Sequence, residues 1–439
     1  MKNLGGISTL CLAAATVLAS AAAQAQTSLT PAERSAAVDA LAQVIEDEYF
    51  DEVRAEALAH DLRADLEAGV FNSSEDAESL AEQLTEILRE QDRHFAVRFA
   101  GDAPQAPRPE MTETGPQQDP WAALRRQNFG FVDVSILPGN LGYIRLDQFA
   151  PIEPAAETAS AALDFVANTD AVIFDLRENR GGAPSMVQFL ISHFLAPNEP
   201  VMINTFVSRD YEYPNQMWSL PSHPSGFRPD TPLYVLVSGR SGSAGEAFPY
   251  HLQAMERATI IGETTYGAGN PGETFAVPGG FRIFVSTGSA RNPITQSNWE
   301  GTGVTPDIPV PADTALERAR IEAYQDLMAV TEDALLRENL QWAADQLQAS
   351  MNPQMLDDAT LDLYVGQYGI RSFSAENGQL IYTRQGRPPE PLLALGDHRF
   401  AFTDTVDFML EFKQDGTDPA HAVEIQVADG RRMLMPRSD

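Results

Sequence analysis

The sequence predicts an α/β protein, because short apolar segments typical of buried strands alternate with amphipathic stretches of helical length. Helix-length stretches occur at 184–195 and 244–256, each after one of the apolar segments. This alternation is the pattern of βαβ units and indicates a mainly parallel sheet. Strands are predicted at 142–146, 171–176, 200–206, 233–237, 259–262 and 282–286.

The composition along the chain divides it into an α/β core at 128–313 and flanking segments of different character. Residues 26–100 place apolar residues at spacings of three and four and predict an N-terminal helical cap, and the proline-rich segment 101–127 predicts a linker. After the core, 314–350 predicts a helical connector and 351–439 a β-rich C-terminal domain. Hairpin turns in that domain are predicted at Asn377-Gly378, Asp415-Gly416 and Asp429-Gly430.

Residues 1–25 have the features of a signal peptide: Lys2 at the start, a short apolar run, and Ala23-Gln24-Ala25 as a cleavage site. The run of about ten apolar residues is too short to span a membrane. We expect cleavage after Ala25 and secretion across the inner membrane to the periplasm or the cell exterior. The alternative is an uncleaved membrane tether. The single cysteine, Cys11, lies in this segment, so the mature chain has no disulfide, thiolate nucleophile or cysteine-ligated metal.

Acidic residues outnumber basic residues 62 to 30, and the net charge of −32 disfavours binding to nucleic acid or anionic lipid. The only lysines are Lys2 and Lys413, so a lysine general base has one candidate in the mature chain. The chain also lacks histidine pairs and acidic loops with the spacing of metal ligands. We therefore predict no metal and no cofactor.

Two predicted strands of the core end in unusual loops, at the sheet edge where α/β proteins form their sites. The first loop contains Asp175, Arg177, Asn179 and the pair Gly181-Gly182. Paired glycines allow backbone N–H groups to face an anion, although a tight turn before a helix would use the same residues.

The second loop, Ser241-Gly-Ser-Ala-Gly-Glu246, connects another strand to a helix. A serine at such a bend projects its hydroxyl above the sheet, and the N–H of Ala244 would face the same space. The loop resembles a nucleophile elbow but departs from G-x-S-x-G, because Ser241 stands where that motif has glycine. Taken alone, it is equally compatible with an ordinary turn of small residues.

Four ordered motifs together resemble the tail-specific (C-terminal processing) serine protease superfamily, in the branch of the tricorn core and interphotoreceptor retinoid-binding protein. The resemblance covers about residues 30–312 and implies a ClpP/crotonase-like α/β protease core, here without a PDZ domain. The motifs are D-R-H at 92–94, D-L-R-x-N-x-G-G at 175–182, S-A-G-E at 243–246 and E-G-x-G-V-x-P-D-I at 300–308.

The resemblance also implies the catalytic residues. One branch uses a serine and a lysine 25 residues beyond it, but that position is Ala268 here. The other branch uses serine, histidine and a carboxylate, which correspond to Ser243, His94 and Glu300. The N–H groups of Gly182 and Ala244 would form the oxyanion hole. The residues expected to support the site are Asp175, Arg177, Asn179 and Glu246.

We therefore predict a secreted serine peptidase that hydrolyses peptide bonds of a peptide or protein substrate through an acyl-enzyme intermediate. A non-catalytic binder of hydrophobic ligands and an esterase remain alternatives. Within the site, His251 competes with His94 as the base, and Glu246 competes with Glu300 as the orienting acid. His94 could also be a structural histidine at a strand end.

Overall fold

The computed structural model describes residues 28–101, 119–209 and 212–438. The predicted signal peptide and most of the predicted linker lie outside these ranges. Among the described helices, none combines the length and the hydropathy that crossing a membrane requires.

The N-terminal segment forms three helices and one strand, as the apolar spacing predicts for its helical part. Side chains cap each helix at its first turn: Thr30 accepts a hydrogen bond from the N–H of Glu33, Asp51 from Arg54 and Asp76 from Ser79. The elements are α1 (Pro31–Glu48), α2 (Glu52–Glu67), the 3₁₀ helix Val70–Ser73, α3 (Ala77–Arg89) and β1 (Ala96–Phe99).

The core is built around a six-stranded sheet. Its elements in chain order are α4 (Ala122–Arg126), the 3₁₀ helix Asn128–Gly130, β2 (Phe131–Leu137), β3 (Leu141–Leu146), α5 (Ile152–Phe165), β4 (Ala171–Asp175), α6 (Pro184–His193), β5 (Met202–Ser208), β6 (Asn215–Trp218), β7 (Leu233–Val237), α7 (Ala244–Ala254), β8 (Thr259–Gly262), β9 (Gly272–Val277), β10 (Phe281–Ser286), β11 (Gly288–Arg291) and β12 (Ile308–Pro309). The sheet order is β12-β8-β7-β4-β3-β2, and every neighbouring pair is parallel except β2 and β3.

Two of the six predicted core strands lie outside this sheet. The segment 200–206 corresponds to β5, which pairs with β6 and β11 in a small antiparallel sheet. The segment 282–286 corresponds to β10, which pairs with β9 and with β1 of the N-terminal segment. The pairs β5–β6 and β9–β10 are each consecutive in the chain with no crossover helix between them, and such connections produce antiparallel pairs. The N-terminal cap is therefore continuous with the core.

Helices cover both faces of the main sheet, so its strands are buried on both sides. Helices α5, α6 and α7 pack on one face, and α8 (Ala315–Val330) and α9 (Ala334–Met351) pack on the other. The 3₁₀ helix Ala312–Thr314 leads into α8. Because β4 and β7 are parallel neighbours, their carboxyl ends open at the same edge and bring the two predicted site loops together.

The C-terminal segment forms a closed eight-stranded barrel preceded by the short helix α10 (Asp358–Asp362). Aromatic side chains, including Tyr368, Phe373 and Phe412, fill its interior. Asn377 and Gly378 form the first predicted turn with φ of 51° and 78°, the geometry of a tight hairpin. The strands are β13 (Gly366–Tyr368), β14 (Arg371–Glu376), β15 (Gln379–Arg384), β16 (Glu390–Gly396), β17 (Arg399–Phe402), β18 (Phe408–Lys413), β19 (Ala422–Val427) and β20 (Arg432–Ser438).

Candidate active site

Asn179 connects the two loops at the edge of the sheet. Its side-chain amide donates to the carbonyl of Leu146 at 2.7 Å and its Oδ1 accepts from the N–H of Gly181 at 2.9 Å. Its carbonyl accepts from the N–H of Gly242, one residue before Ser243. At Gly245, a Cβ would lie 2.6 Å from the same carbonyl, so only glycine allows this approach. Asn179 is completely buried and sets the distance between the loops.

Ser243 stands at the first turn of α7 in a strained backbone conformation. Its φ is 55° and its ψ is −121°, a region that residues with a side chain rarely adopt. The N–H of Ser243 donates to Oε2 of Glu246 at 2.8 Å, which helps to hold the bend. The side chain is half-buried and lines a cavity of about 290 Å³.

Glu246 is fully buried one turn further along α7, beneath the bend. Its Oε1 accepts from the Thr265 hydroxyl at 2.5 Å and from the N–H of Gly267 at 2.6 Å. Its Oε2 accepts from the N–H of Ala268 at 2.9 Å as well as from Ser243. Burial raises the pKa of Glu246, and these hydrogen bonds oppose the shift. Both oxygens are thus used to join Ser243 to the 265–268 loop.

The glycine pair lies directly against Ser243. Both residues have positive φ, 111° at Gly181 and 138° at Gly182. A Cβ on Gly181 would lie 2.8 Å from Cβ of Ser243 and 3.2 Å from N of Ala244, and one on Gly182 would lie 2.0 Å from the carbonyl oxygen of Phe149. In the described part of the chain, the N–H groups of Gly182 and Ala244 have no hydrogen-bond acceptor. Both residues line the cavity.

Asp175 and Arg177 lie at the base of this loop and do not line the cavity. The Asp175 carboxylate accepts from the Tyr143 hydroxyl at 2.7 Å and from the Arg177 guanidinium. Burial alone would raise the pKa of Asp175, but the hydrogen bonds from Arg177 and Tyr143 outweigh it and lower the pKa. Arg177 also donates to the carbonyl of Ala312 at 2.6 Å, which joins the loop to the segment before α8.

His94 reaches the same cavity from the N-terminal cap, two residues before β1. Its ring lies 5.7 Å from the Phe284 ring, centroid to centroid. The backbone N–H of His94 donates to Oδ1 of Asp92 at 2.9 Å. Desolvation lowers the pKa of the imidazole, while the charge of Asp92 raises it. The net shift is downward, so the ring is neutral and able to accept a proton at neutral pH.

Glu300 lies close to the His94 ring. Its Oε2 lies 3.9 Å from Nδ1 of His94, an atom that has no hydrogen-bond partner among the described residues. Three backbone N–H groups hold the carboxylate: Arg93 donates to Oε1 at 2.8 Å, and Gly269 and Asn270 donate to Oε2 at 2.6 and 3.1 Å. Burial and the charge of Asp92 raise the pKa of Glu300 to about 7.

Asp92 is a part of this site that sequence reasoning missed. The carboxylate is buried, and its Oδ2 accepts from the Tyr49 hydroxyl and from the Asn270 side-chain amide, each at 3.1 Å. It therefore joins the cap to the core loop that also holds Glu300. The signal in the sequence was the position of this acid two residues before His94.

The two competing residues occupy other positions. His251 also lines the cavity, but it is fully buried, its Nδ1 is bonded to the Asn292 amide at 2.9 Å, and burial lowers its pKa to about 3. It is a poor proton acceptor for that reason. Glu246 directs both oxygens to backbone and Thr265 donors and makes no described contact with His94.

Asp92, His94 and Glu300 also form a group whose potential ligand atoms lie within 4.8 Å of one another. The oxygens of both carboxylates already accept hydrogen bonds, from four backbone N–H groups, a hydroxyl and an amide. N–H and O–H donors present positive charge to these oxygens. The arrangement therefore fits two carboxylates held by hydrogen bonds better than two ligands of a bound cation.

Comparison with known proteins shows what the core is similar to. Residues 140–310 match the model of peptidase family S41. Over these residues the α/β core is similar to the proteins of that family. The match contains the loop from Asp175 to Gly182, the elbow at Ser243 and Glu300. His94 and Asp92 lie outside it, in the cap.

Individual proteins resemble this core at low identity. The chain is 29% identical over 178 residues to a carboxy-terminal-processing protease of Bartonella bacilliformis, covering 39% of each chain. It is 28% identical over 184 residues to the chloroplastic carboxyl-terminal-processing peptidase 2 of Arabidopsis thaliana, covering 40% of this chain and 34% of that protein. The chain thus spans less than two fifths of the length of these relatives. A structure of a putative peptidase from Parabacteroides merdae is 18% identical, covering 67% of this chain and 97% of that chain, with a TM-score of 0.47.

Proposed function

We propose that this protein is a serine peptidase in which Ser243 is the nucleophile, His94 the general base and Glu300 the carboxylate that orients it. The observation that carries the proposal is that Ser243 and His94 line one cavity although 149 positions separate them in the chain. Ala268 occupies the position where the related Ser/Lys peptidases have their base, so a histidine is needed for that role.

The nucleophile is activated by proton transfer. A serine hydroxyl reacts slowly until an adjacent base accepts its proton, and the neutral imidazole of His94 is suited to do so. Ser243 then attacks the peptide carbonyl, and His94 returns the proton to the leaving amine. His94 then deprotonates a water molecule, which attacks the acyl carbonyl, and returns that proton to Oγ of Ser243 as the ester bond breaks and the carboxylate product leaves.

Glu300 would stabilise the imidazolium that forms during the reaction. The separation of 3.9 Å from Nδ1 of His94 is about 1 Å longer than a charge-assisted hydrogen bond. Such bonds are often long before substrate binds and shorten in the reactive complex. A pKa of about 7 leaves a large share of Glu300 ionised at neutral pH, and a positive charge on His94 would favour the ionised form further.

The N–H groups of Gly182 and Ala244 would stabilise the oxyanion. Neither donates to a protein acceptor among the described residues, and both line the cavity beside Ser243. Removal of one oxyanion-hole donor costs about 10²- to 10³-fold in kcat in other hydrolases. Asp175, Arg177, Asn179 and Glu246 are proposed to act indirectly, by holding the two loops in place.

A fluorophosphonate probe tests the proposal directly, because it reacts with an activated serine. We expect labelling of the wild-type chain, loss of labelling in Ser243→Ala and strong reduction in His94→Ala. Ser350→Ala, an exposed serine on α9, is the matched control and should label normally. Undiminished labelling of Ser243→Ala would refute the assignment. A folded wild-type chain that neither labels nor hydrolyses peptides and esters would instead support the non-catalytic binder.

Substrate class and location belong to the same proposal. Hydrolysis of a peptide library, with activated esters as the comparison, separates a peptidase from an esterase that uses the same residues. For location, we propose export across the inner membrane with cleavage after Ala25. Mass spectrometry of the protein from fractionated cells should then show Gln26 as the first residue in the periplasm or medium, and a full-length chain retained in the membrane fraction would contradict it.

A further inference from the structure

The cavity beside Ser243 is lined by residues of α7 and β5 and by the segment around Trp299. Its wall is mainly apolar, formed by side chains that include Val187, Phe206, Met217 and Trp299. None of the described residues that line it is Asp, Glu, Lys or Arg. A charged substrate side chain would lose its hydration without gaining a counter-ion there, so the wall favours an uncharged group.

Two polar side chains interrupt the apolar wall. His251 and Asn204 line the cavity and are 0% and 2% exposed. In the described structure, Nε2 of His251 and Oδ1 of Asn204 have no hydrogen-bond partner. Leaving a buried polar atom without a partner costs about 1–3 kcal/mol. Two such atoms at one cavity are candidate hydrogen-bonding partners for a bound ligand.

Asn292 determines which hydrogen-bonding role His251 has. Oδ1 of Asn292 accepts from the N–H groups of Ile294 and Thr295 at 2.8 and 3.1 Å, so its NH₂ group faces Nδ1 of His251 at 2.9 Å. Nδ1 must therefore accept, and the ring proton is on Nε2. Burial keeps the ring neutral. The cavity thus offers one donor, Nε2–H of His251, and one acceptor, Oδ1 of Asn204.

We propose that this cavity binds the substrate side chain next to the cleaved bond and selects an uncharged side chain with a hydroxyl or carboxamide at its tip. Both groups accept and donate a hydrogen bond, and the apolar wall covers the rest of the side chain. His251 and Asn204 are the residues that determine this specificity. The inference rests on the proposed function, because it names the substrate class of the same site.

The test compares side chains of nearly equal shape in p-nitrophenyl esters of N-acetyl amino acids: tyrosine against phenylalanine, threonine against valine, and glutamine against methionine. For at least one pair, we expect kcat/KM to be about tenfold or more higher for the polar member, because unpaired groups in the site penalise the apolar analogue. Equal rates within all three pairs, or faster hydrolysis of the apolar members, would overturn the proposal.

Variants assign the preference to the two side chains. His251→Phe and Asn204→Leu should each abolish the preference, so that kcat/KM of the polar and apolar members of a pair becomes equal within each variant. His251→Gln, whose amide can place a donor near the position of Nε2, should restore part of it and guards against misfolding of the aromatic variant. His223→Phe, a buried histidine that does not line the cavity, is the control and should keep the preference. A preference that persists in both variants would refute the assignment.

Failure of the proposed function can be recognised separately. Fluorophosphonate labelling of Ser243 reports the nucleophile whatever side chain the cavity accepts. If labelling fails, the cavity is tested by nuclear magnetic resonance with 4-methylphenol and toluene as probes on the folded, full-length chain. Tighter binding of 4-methylphenol with a shift of the His251 ring N–H signal would support the inference, and equal binding of the two probes would overturn it.

Discussion

Oε2 of Glu300 lies 3.9 Å from Nδ1 of His94, although 206 positions separate the two residues. The contact joins the N-terminal cap to the α/β core, and backbone groups on both sides hold the Glu300 carboxylate, from Arg93 in the cap and from Gly269 and Asn270 in the core. The candidate site is therefore completed by a segment that the family match does not include.

Replacement of Asp92 by Asn should lower the pH at which activity is lost on acidification. The charge of Asp92 raises the pKa of His94, so removing that charge lowers the pKa, and the neutral base persists to lower pH. We also expect a fall in kcat, because the NH₂ group of Asn cannot accept a hydrogen bond, whereas both carboxylate oxygens of Asp92 accept one or more, from His94, Tyr49 and Asn270. The pH profile of kcat/KM measures the shift. Asp61→Asn on the surface of α2 should leave the profile unchanged, and an unshifted Asp92→Asn profile would refute the coupling.

Ser243→Gly should be more stable than Ser243→Ala, although both variants lose activity. The φ of 55° disfavours any residue with a Cβ, and glycine removes that strain. We expect the free energy of unfolding in urea to differ by about 1 kcal/mol. Equal stabilities of the two variants would show that the bend stores no strain.

Glu246→Ala should destabilise the protein by about 2–4 kcal/mol. The change leaves the buried N–H groups of Gly267 and Ala268 without their acceptor and releases the N–H of Ser243. Because the bend loses its support, kcat should fall as well. Urea unfolding and ester hydrolysis measure the two effects. Glu273→Ala, an exposed acid on β9, should change stability by less than about 0.5 kcal/mol.

Gly182→Ala should lower kcat strongly and change KM little. A Cβ would lie 2.0 Å from the carbonyl oxygen of Phe149, so the backbone would have to shift and would move the N–H that we propose for the oxyanion hole. We expect a loss of about 10²-fold or more in kcat. Gly239→Ala is the control, since its nearest neighbour would be 3.9 Å away and its φ does not favour glycine. Normal turnover by Gly182→Ala would exclude this residue from the oxyanion hole.

The stability of the protein should fall between pH 7 and pH 5 in part because His193 is buried as a neutral ring. Desolvation lowers its pKa from 6.5 to about 4, so the unfolded chain binds a proton in this range and the folded chain does not. The neutral ring of His193 contributes fully to the free energy of unfolding above pH 6.5, and this contribution is lost as the pH decreases. The loss between pH 7 and pH 5 is about 2 kcal/mol. In urea titrations at pH 7 and pH 5, the free energy of unfolding of His193→Asn should fall by about 2 kcal/mol less than that of the wild type. His60→Asn, on an exposed helix face, should behave as the wild type.

Local sequence patterns were sufficient to predict much of the molecule. Apolar runs followed by helical periodicity predicted the α/β core, and the glycine pair and the small-residue loop marked the two loops that meet at the carboxyl ends of β4 and β7. These features depend on neighbouring residues and on the rule that parallel strands open at one edge, so they can be read from short segments.

The partner strands of β5 and of β10 were not predictable in the same way. Both were predicted as strands, but a strand pattern does not state which partner its backbone hydrogen bonds reach. The pairing of β10 with β1 is what brings His94 of the cap to the cavity. Asp92 was recognised only as part of the D-R-H motif and given no role for a related reason, because its role arises from burial beside Tyr49 and Asn270.

The sequence by itself determined the fold class, the absence of a lysine base near the elbow, and the residues from which a site could be made, since these follow from composition and local spacing. Only the tertiary structure decided that His94 and not His251 is the neutral ring beside Glu300, and that Glu246 is used for support. The physical reason is that burial and hydrogen-bond partners set the protonation and orientation of these groups, and both depend on residues up to 207 positions away in the chain.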